Sequence, residues 1–211
     1  MLTLLETPMK LLETRMAPNP RRVRIFLAEK GVKVPTEELD LMKGDLKSEN
    51  FTRLNKLQRV PVLELDDGTA ICESIAICRY FDELHPEPAL FGSGAVGKAL
   101  VEMWQRRVEL GFLGPVAAAF RHLHPAMAPF ELPQVPAWGE ANKPKAHEML
   151  QLLDEQLAGN RYIASDAYSV ADITALVAMD FMKPARVPRP EGLKNVERWY
   201  AEVSARPSAK A

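Results

Sequence analysis

Cysteine is scarce in this chain: only Cys72 and Cys78 occur in 211 residues. Their spacing matches neither a zinc site nor a Cys-x-x-Cys redox pair, and two cysteines cannot make a disulfide framework. A reducing compartment, the cytoplasm, is the expectation. Long apolar runs are missing as well; none reaches the roughly 18 residues of a membrane helix. The first residues include early acids and no small-residue cleavage site, which argues against a signal peptide. Nor is there an excess of one charge: 27 Lys and Arg against 28 Asp and Glu leave a net charge of −1. No global field would draw in nucleic acid. His85, His122, His124 and His147 share no metal-ligand spacing, so no metal is expected.

Apolar residues, in contrast, make up 47% of the chain, enough for a sizeable core. "LLETPM" (Leu4 to Met9) nearly repeats as "LLETRM" (Leu11 to Met16), and only the second copy runs into a turn and a helix. The first strand is therefore expected at Lys10–Thr14, with residues 1–9 as a leader. Val23, Phe26 and Leu27 recur at helical spacing, and Gly31 ends that helix. Val34 to Leu41 has strand character, and a short polar helix follows. "VPVLELDDGTAI" reads as a hairpin. A helix covers Glu73 to Leu84, with Ile75, Ile77, Cys78 and Phe81 as core candidates. The order is β-α-β-α-β-β-α.

The Pro- and Gly-containing stretch 86–94 then reads as a linker. Everything after it reads helical: a long helix from about Ala95 to His122, interrupted at Gly111 to Pro115, a proline-rich loop to Trp138, and three further helices. "SVADITALVAMDFM" is nearly all apolar, hence central. Two domains follow, residues 10–85 and 95–211.

Three features of the first domain carry chemistry. Pro61 opens a strand, where no ladder donor is needed. If the Val60–Pro61 bond is cis, the Val60 backbone faces outward to pair with an extended ligand; a trans bond would leave only a strand start. Glu73-Ser74 falls where a strand gives way to a helix, whose N–H groups favour a carboxylate. Ser74 can donate to that carboxylate and Glu73 can pair with an ammonium, which suits an amino-acid zwitterion; plain capping is the alternative. The turn at residues 17–20 offers a helix N-terminus, and such ends lower thiol pKa values.

The motifs "NPRRVRIFLAEKG", "LNKLQRVPVLELDDGTAICESIAICRYFDE" and "YSVADITALVAMDF", in this order, resemble those of the cytosolic glutathione transferase family. The resemblance implies an α/β thioredoxin-like N-terminal domain plus an all-α C-terminal domain, usually assembled as a homodimer, with glutathione as co-substrate. By that resemblance Val60 and the cis-proline Pro61 hold the cysteinyl part of glutathione. Glu73 and Ser74 hold its γ-glutamyl group. Lys47, Gln58 and Arg59 lie where the family recruits a partner for the glycyl carboxylate. Ser169 and Asp172 resemble the family's capping box, a folding device.

One position departs from the pattern. Where the family commonly has Ser or Cys, this chain has Ala17, and the upstream tyrosine position falls near Leu12. A cysteine-based reaction through a protein mixed disulfide is disfavoured, and a Ser or Tyr at the usual places is excluded. Bound glutathione still brings its own sulfur. Asn19 and Thr14 are the side-chain donors in reach of it, beside the backbone alone. Met16, Trp104 and Phe112 are candidates for an apolar wall against the second substrate, with Trp138 on a loop able to cover it. The expected activity is attack of glutathione on a small electrophile, or glutathione-dependent reduction of a peroxide or disulfide. The alternative is a non-catalytic glutathione-binding or regulatory protein on the same fold.

Overall fold

Residues 9–211 are described by the computed structural model. The expected leader lies outside the described residues, except Met9, which pairs with Leu65 in the first strand. The chain divides into two units between Pro88 and Ala89.

In the first unit, β1 (Met9–Glu13), β2 (Thr36–Glu38), β3 (Val62–Leu65) and β4 (Ala70–Cys72) form one sheet in the order β2-β1-β3-β4. β1 runs parallel to β2 and antiparallel to β3, and β3 runs antiparallel to β4. Strand side chains alternate between faces. Leu12 and Val62 therefore share one face, where Leu46 and Phe51 cover them from the short helix α2 (Glu49–Leu54) and the turn before it. Leu11 and Leu63 point to the other face, under α1 (Pro18–Lys30) and α3 (Ser74–Leu84), whose Val23, Phe26, Ile77 and Phe81 are buried. The strand expected over Val34 to Leu41 shortens to three exposed residues, because Thr36, Glu37 and Glu38 offer no apolar face to bury. Gly31 closes α1 with φ 66°, a conformation that suits glycine.

The stretch after α3 is not a loose linker. Lys30, its side chain fully buried, donates to Asp82 Oδ1 at 2.6 Å and to the carbonyls of His85 at 2.7 Å and Pro88 at 2.6 Å. One ammonium thus ties the last residue of α1 to α3 and to the chain that leaves it. Beyond the division, Leu90 and Phe91 are buried in the second unit, and the Val170 N–H donates to the Leu90 carbonyl at 2.9 Å.

The second unit is helical: α4 (Gly94–Val108), α5 (Gly114–Leu123), α6 (Pro136–Ala158), α7 (Val170–Met182) and α8 (Lys194–Ser204). The expected interruption at Gly111 to Pro115 is a π-helical turn over Glu109–Leu113. Pro115 has no N–H to offer the turn before it. The ladder re-registers instead, with the Gly114 N–H reaching back five residues to Glu109. Gly111 lets α6 approach closely there, since a Cβ would meet the Met149 sulfur at 3.2 Å.

α7 is buried along most of its length, and Asp172 organises its start. Asp172 Oδ1 accepts from the Ile163 N–H and the Trp199 indole, both at 2.9 Å; Oδ2 accepts from the Ser169 N–H at 2.9 Å and its hydroxyl at 3.0 Å. Complete burial pushes the Asp172 carboxyl up to about 6, against the pull of those four donors. A folded pKa above the unfolded value means that the native state binds more protons between about pH 4 and pH 6. The contribution of this group to stability is then fully present below about pH 4 and is lost as pH rises through 6. Carboxyl-carbon NMR should show Asp172 titrating near pH 6. Asp172→Asn, which sets an N–H₂ against donors, should cost about 2–4 kcal/mol in urea unfolding and remove that slope.

Candidate functional site

The register of the sheet gathers the first-unit candidates on one edge. Val62 pairs with Leu12 near the C-terminal end of β1 and with Cys72 at the C-terminal end of β4. The start of β3 and the ends of β1 and β4 therefore share an edge. From that edge the chain leaves β1 into Thr14, Ala17 and α1, leaves β4 into Glu73 and α3, and enters β3 through Val60 and Pro61. The Val60–Pro61 peptide is cis. Val60 lies beyond the last ladder pair of β3, so the ladder does not use its backbone.

Both helices that begin here are open at their N-termini. Neither has a side-chain cap or an acidic residue in its first turn. Three other helix starts are occupied: Ser48 caps α2, Ser169 and Asp172 cap α7, and Asp154 accepts from the Asn195 and Val196 N–H groups at the start of α8; α4, α5 and α6, in the second unit, also start without a cap. Unneutralised helix ends hold partial positive charge and free N–H donors, which is the make-up of an anion site.

At α1 the donors are fewer than a helix end normally shows. Ala17 donates to the Thr14 carbonyl at 3.0 Å, and Arg21 donates to the Ala17 carbonyl at 3.3 Å. Pro18 and Pro20 have no N–H. Of the first-turn amides only that of Asn19 remains, with no acceptor among the described residues. The Asn19 side chain is fixed from behind, because Arg22 Nη2 donates to its Oδ1 at 2.7 Å. Its amide N–H₂ has no partner among the described residues either.

Thr14 does not keep the role expected of it. Its hydroxyl donates its one hydrogen to the Leu39 carbonyl at 2.9 Å and ties the end of β1 to the segment after β2. Trp104 and Phe112 also leave the candidate set as apolar wall. Phe112 is 0% exposed and Trp104 5%, so neither presents an open apolar surface. Trp138 lies in the first turn of α6, not on a loop, beneath the Lys145 ammonium at 4.5 Å. Met16 is 89% exposed in the turn before α1.

At α3, Ser74 is buried and Glu73 is exposed. Glu73 takes φ 68° and ψ 119°, a region that non-glycine residues rarely visit. Such backbone strain costs about 1–3 kcal/mol and gathers at ligand sites. Lys47 and Arg59 are exposed, and Gln58 Nε2 donates to Thr52 Oγ1 at 3.2 Å.

Sequence reasoning missed Asn55, which shapes the loop into β3. Buried, it accepts from the Leu57 N–H at Oδ1 (3.0 Å) and from the Gln58 N–H at its carbonyl (2.9 Å), and donates from Nδ2 to the Arg59 carbonyl (2.8 Å). The visible signal was an Asn just past a helix end, where it turns its side chain onto the backbone two residues on. Cys72 and Cys78 are free thiols, and burial pushes Cys78 up to about 12, which keeps it inert. Among the described residues no helix is long and apolar enough to cross a membrane, and no cluster of His, Cys, Asp and Glu could hold a metal ion.

A four-stranded mixed sheet with helices on both faces, an anion-ready edge and a helical second unit defines a thioredoxin-like protein with a helical extension. Comparison with known proteins narrows that class. The family models "Glutathione S-transferase, N-terminal domain" and "Glutathione S-transferase, C-terminal domain" match residues 7–83 and 105–207. Glutathione S-transferase 2 of Saccharomyces cerevisiae is 38% identical over 201 residues, covering 94% of this chain and 86% of that protein. Among solved structures, a glutathione S-transferase domain-containing protein of Marinobacter aquaeolei VT8 superposes with a TM-score of 0.91 at 40% identity, covering 94% and 98% of the two chains. A Gtt2-class glutathione S-transferase of Vibrio parahaemolyticus gives 0.83 at 42% identity, covering 96% of each. The chain belongs to the glutathione S-transferase family.

Glu73→Gly relieves the positive φ and Glu73→Ala does not, since alanine is strained there too. Urea unfolding should find the glycine variant more stable than the alanine variant by about 1 kcal/mol. Equal stabilities would mean that the Glu73 backbone is unstrained.

Proposed function

We propose that this chain is a glutathione transferase that activates the thiol of bound glutathione without a hydroxyl or thiol of its own. The observation that supports this most is the meeting of two open helix N-termini, α1 and α3, at the edge where β3 begins. In this reading the Val60 backbone, beside Pro61, pairs with the cysteinyl portion of glutathione as an added strand. The γ-glutamyl carboxylate sits on the N-terminus of α3 and on the Ser74 hydroxyl, and the Glu73 carboxylate takes the ammonium. Lys47, Gln58 and Arg59 surround the region proposed for the glycyl carboxylate.

The sulfur then lies at the N-terminus of α1. A free thiol has a pKa near 8.5 and is only a few per cent ionised at neutral pH. Lowering it by about two units takes roughly 2.7 kcal/mol in favour of the thiolate. A hydrogen bond to a charged group contributes about 1.5–3 kcal/mol, and a helix end about 0.3–2. Asn19 supplies both of the donors left at this end, its backbone N–H and its side-chain N–H. Together with the dipole they meet the requirement, whereas the dipole alone falls short. The activated thiolate attacks a small electrophile; reduction of a peroxide or disulfide uses the same thiolate.

Exposed Val96 and Leu100, one turn apart on α4, support assembly as a homodimer. The free thiols of Cys72 and Cys78 suit the cytoplasm.

Ultraviolet absorbance of the thiolate, followed across pH in the bound state, tests this directly. The thiol pKa of bound glutathione should fall well below the free value. Asn19→Ala should raise it by about one unit and lower kcat at neutral pH by about tenfold, with glutathione affinity changed less than about threefold. An unshifted thiol pKa in the parent protein would sink the mechanism. Binding without turnover across a broad electrophile and disulfide screen would favour a non-catalytic glutathione-binding role.

A further inference from the structure

Arg22 follows Asn19 by three residues on α1 and is 2% exposed. A buried guanidinium is tolerated only when its donors meet acceptors. One acceptor here is the Asn19 side-chain oxygen. That contact settles the amide orientation, because the flipped form would set its N–H₂ against the guanidinium, donor facing donor. Oδ1 faces Arg22, and Nδ2 faces away from it. A cation on the amide oxygen also polarises the amide and strengthens its N–H as a donor.

We propose that Arg22 is the positioning residue for thiol activation: by holding Asn19 Oδ1 it aims Nδ2–H at the sulfur of bound glutathione. This rests on the assignment of Asn19 as the donor. Without Arg22 the amide would rotate between solvent-exposed rotamers and donate to the sulfur only part of the time.

The test is a double-mutant cycle on the full-length protein, read by the thiol pKa of bound glutathione and by the pH profile of kcat/KM with chlorodinitrobenzene. Arg22→Met keeps length and apolar bulk. It should raise the thiol pKa by about 0.5–1 in the parent background and leave it unchanged when Asn19 is already alanine. Activity at neutral pH should fall about three- to tenfold, with little change in glutathione Kd. Arg22→Lys keeps a buried charge but loses the planar fork and its reach. It should show the same upward shift, and it stands in should the methionine variant fold poorly. An equal shift with and without the Asn19 side chain, or a thiol pKa fully retained in Arg22→Lys, would overturn the proposal, because Arg22 would then act through its charge alone. A cycle in which Asn19→Ala itself moves nothing would overturn the Asn19 assignment, and that outcome is separately visible.

Discussion

Everything proposed for the site depends on β3 lying antiparallel between β1 and β4, with Val62 opposite both Leu12 and Cys72. That register places three chain segments, far apart in sequence, on one edge. A slip of one residue would turn Val62 from the α2 face to the α1 and α3 face and undo the cluster with Leu12 and Phe51. Burial therefore enforces the register, and the site inherits its geometry from hydrophobic packing. Asn55 extends this control past the strand by fixing the loop up to Arg59. Lys30 secures the far end of α1 against α3 and the chain that follows it.

In the first unit the helix ends differ. The start of α2 is capped by Ser48, whereas the two helices that begin at the sheet edge have neither a side-chain cap nor an acidic first turn. An uncapped helix end forgoes about 1 kcal/mol of capping stabilisation, and Glu73 adds backbone strain. These costs fall on one edge of one unit, where a bound anion would repay them. α1 goes further: two prolines remove donors that a helix end usually offers and leave Asn19 as the remaining one. In the proposed mechanism Asn19 stands in for the hydroxyl or thiol that Ala17 cannot supply.

Much of this was legible in the residues. Val62 to Cys72 read as a hairpin because a turn of Asp66-Asp67-Gly68 separates two apolar runs, and α7 read as central because its apolar residues leave no polar face. Glu73-Ser74 could be placed at a helix start from the change of periodicity alone. Other features were not legible, for definite reasons. Whether Thr14 donates to a ligand or to Leu39 depends on a contact 25 residues away. Trp104 and Phe112 have the composition of a pocket wall and of a core alike, and only packing separates the two. The orientation of Asn19 depends on Arg22, which as sequence reads as one more basic residue in a run of arginines.

The central claim is that glutathione brings the nucleophile and that Asn19 stabilises its ionised form. A crystal structure of the protein with glutathione tests this most directly. The sulfur should lie within about 3.5 Å of the Asn19 backbone nitrogen or Nδ2, with the γ-glutamyl carboxylate on the N-terminus of α3 at Ser74. A sulfur held by any other group, with Asn19 facing solvent, would contradict it.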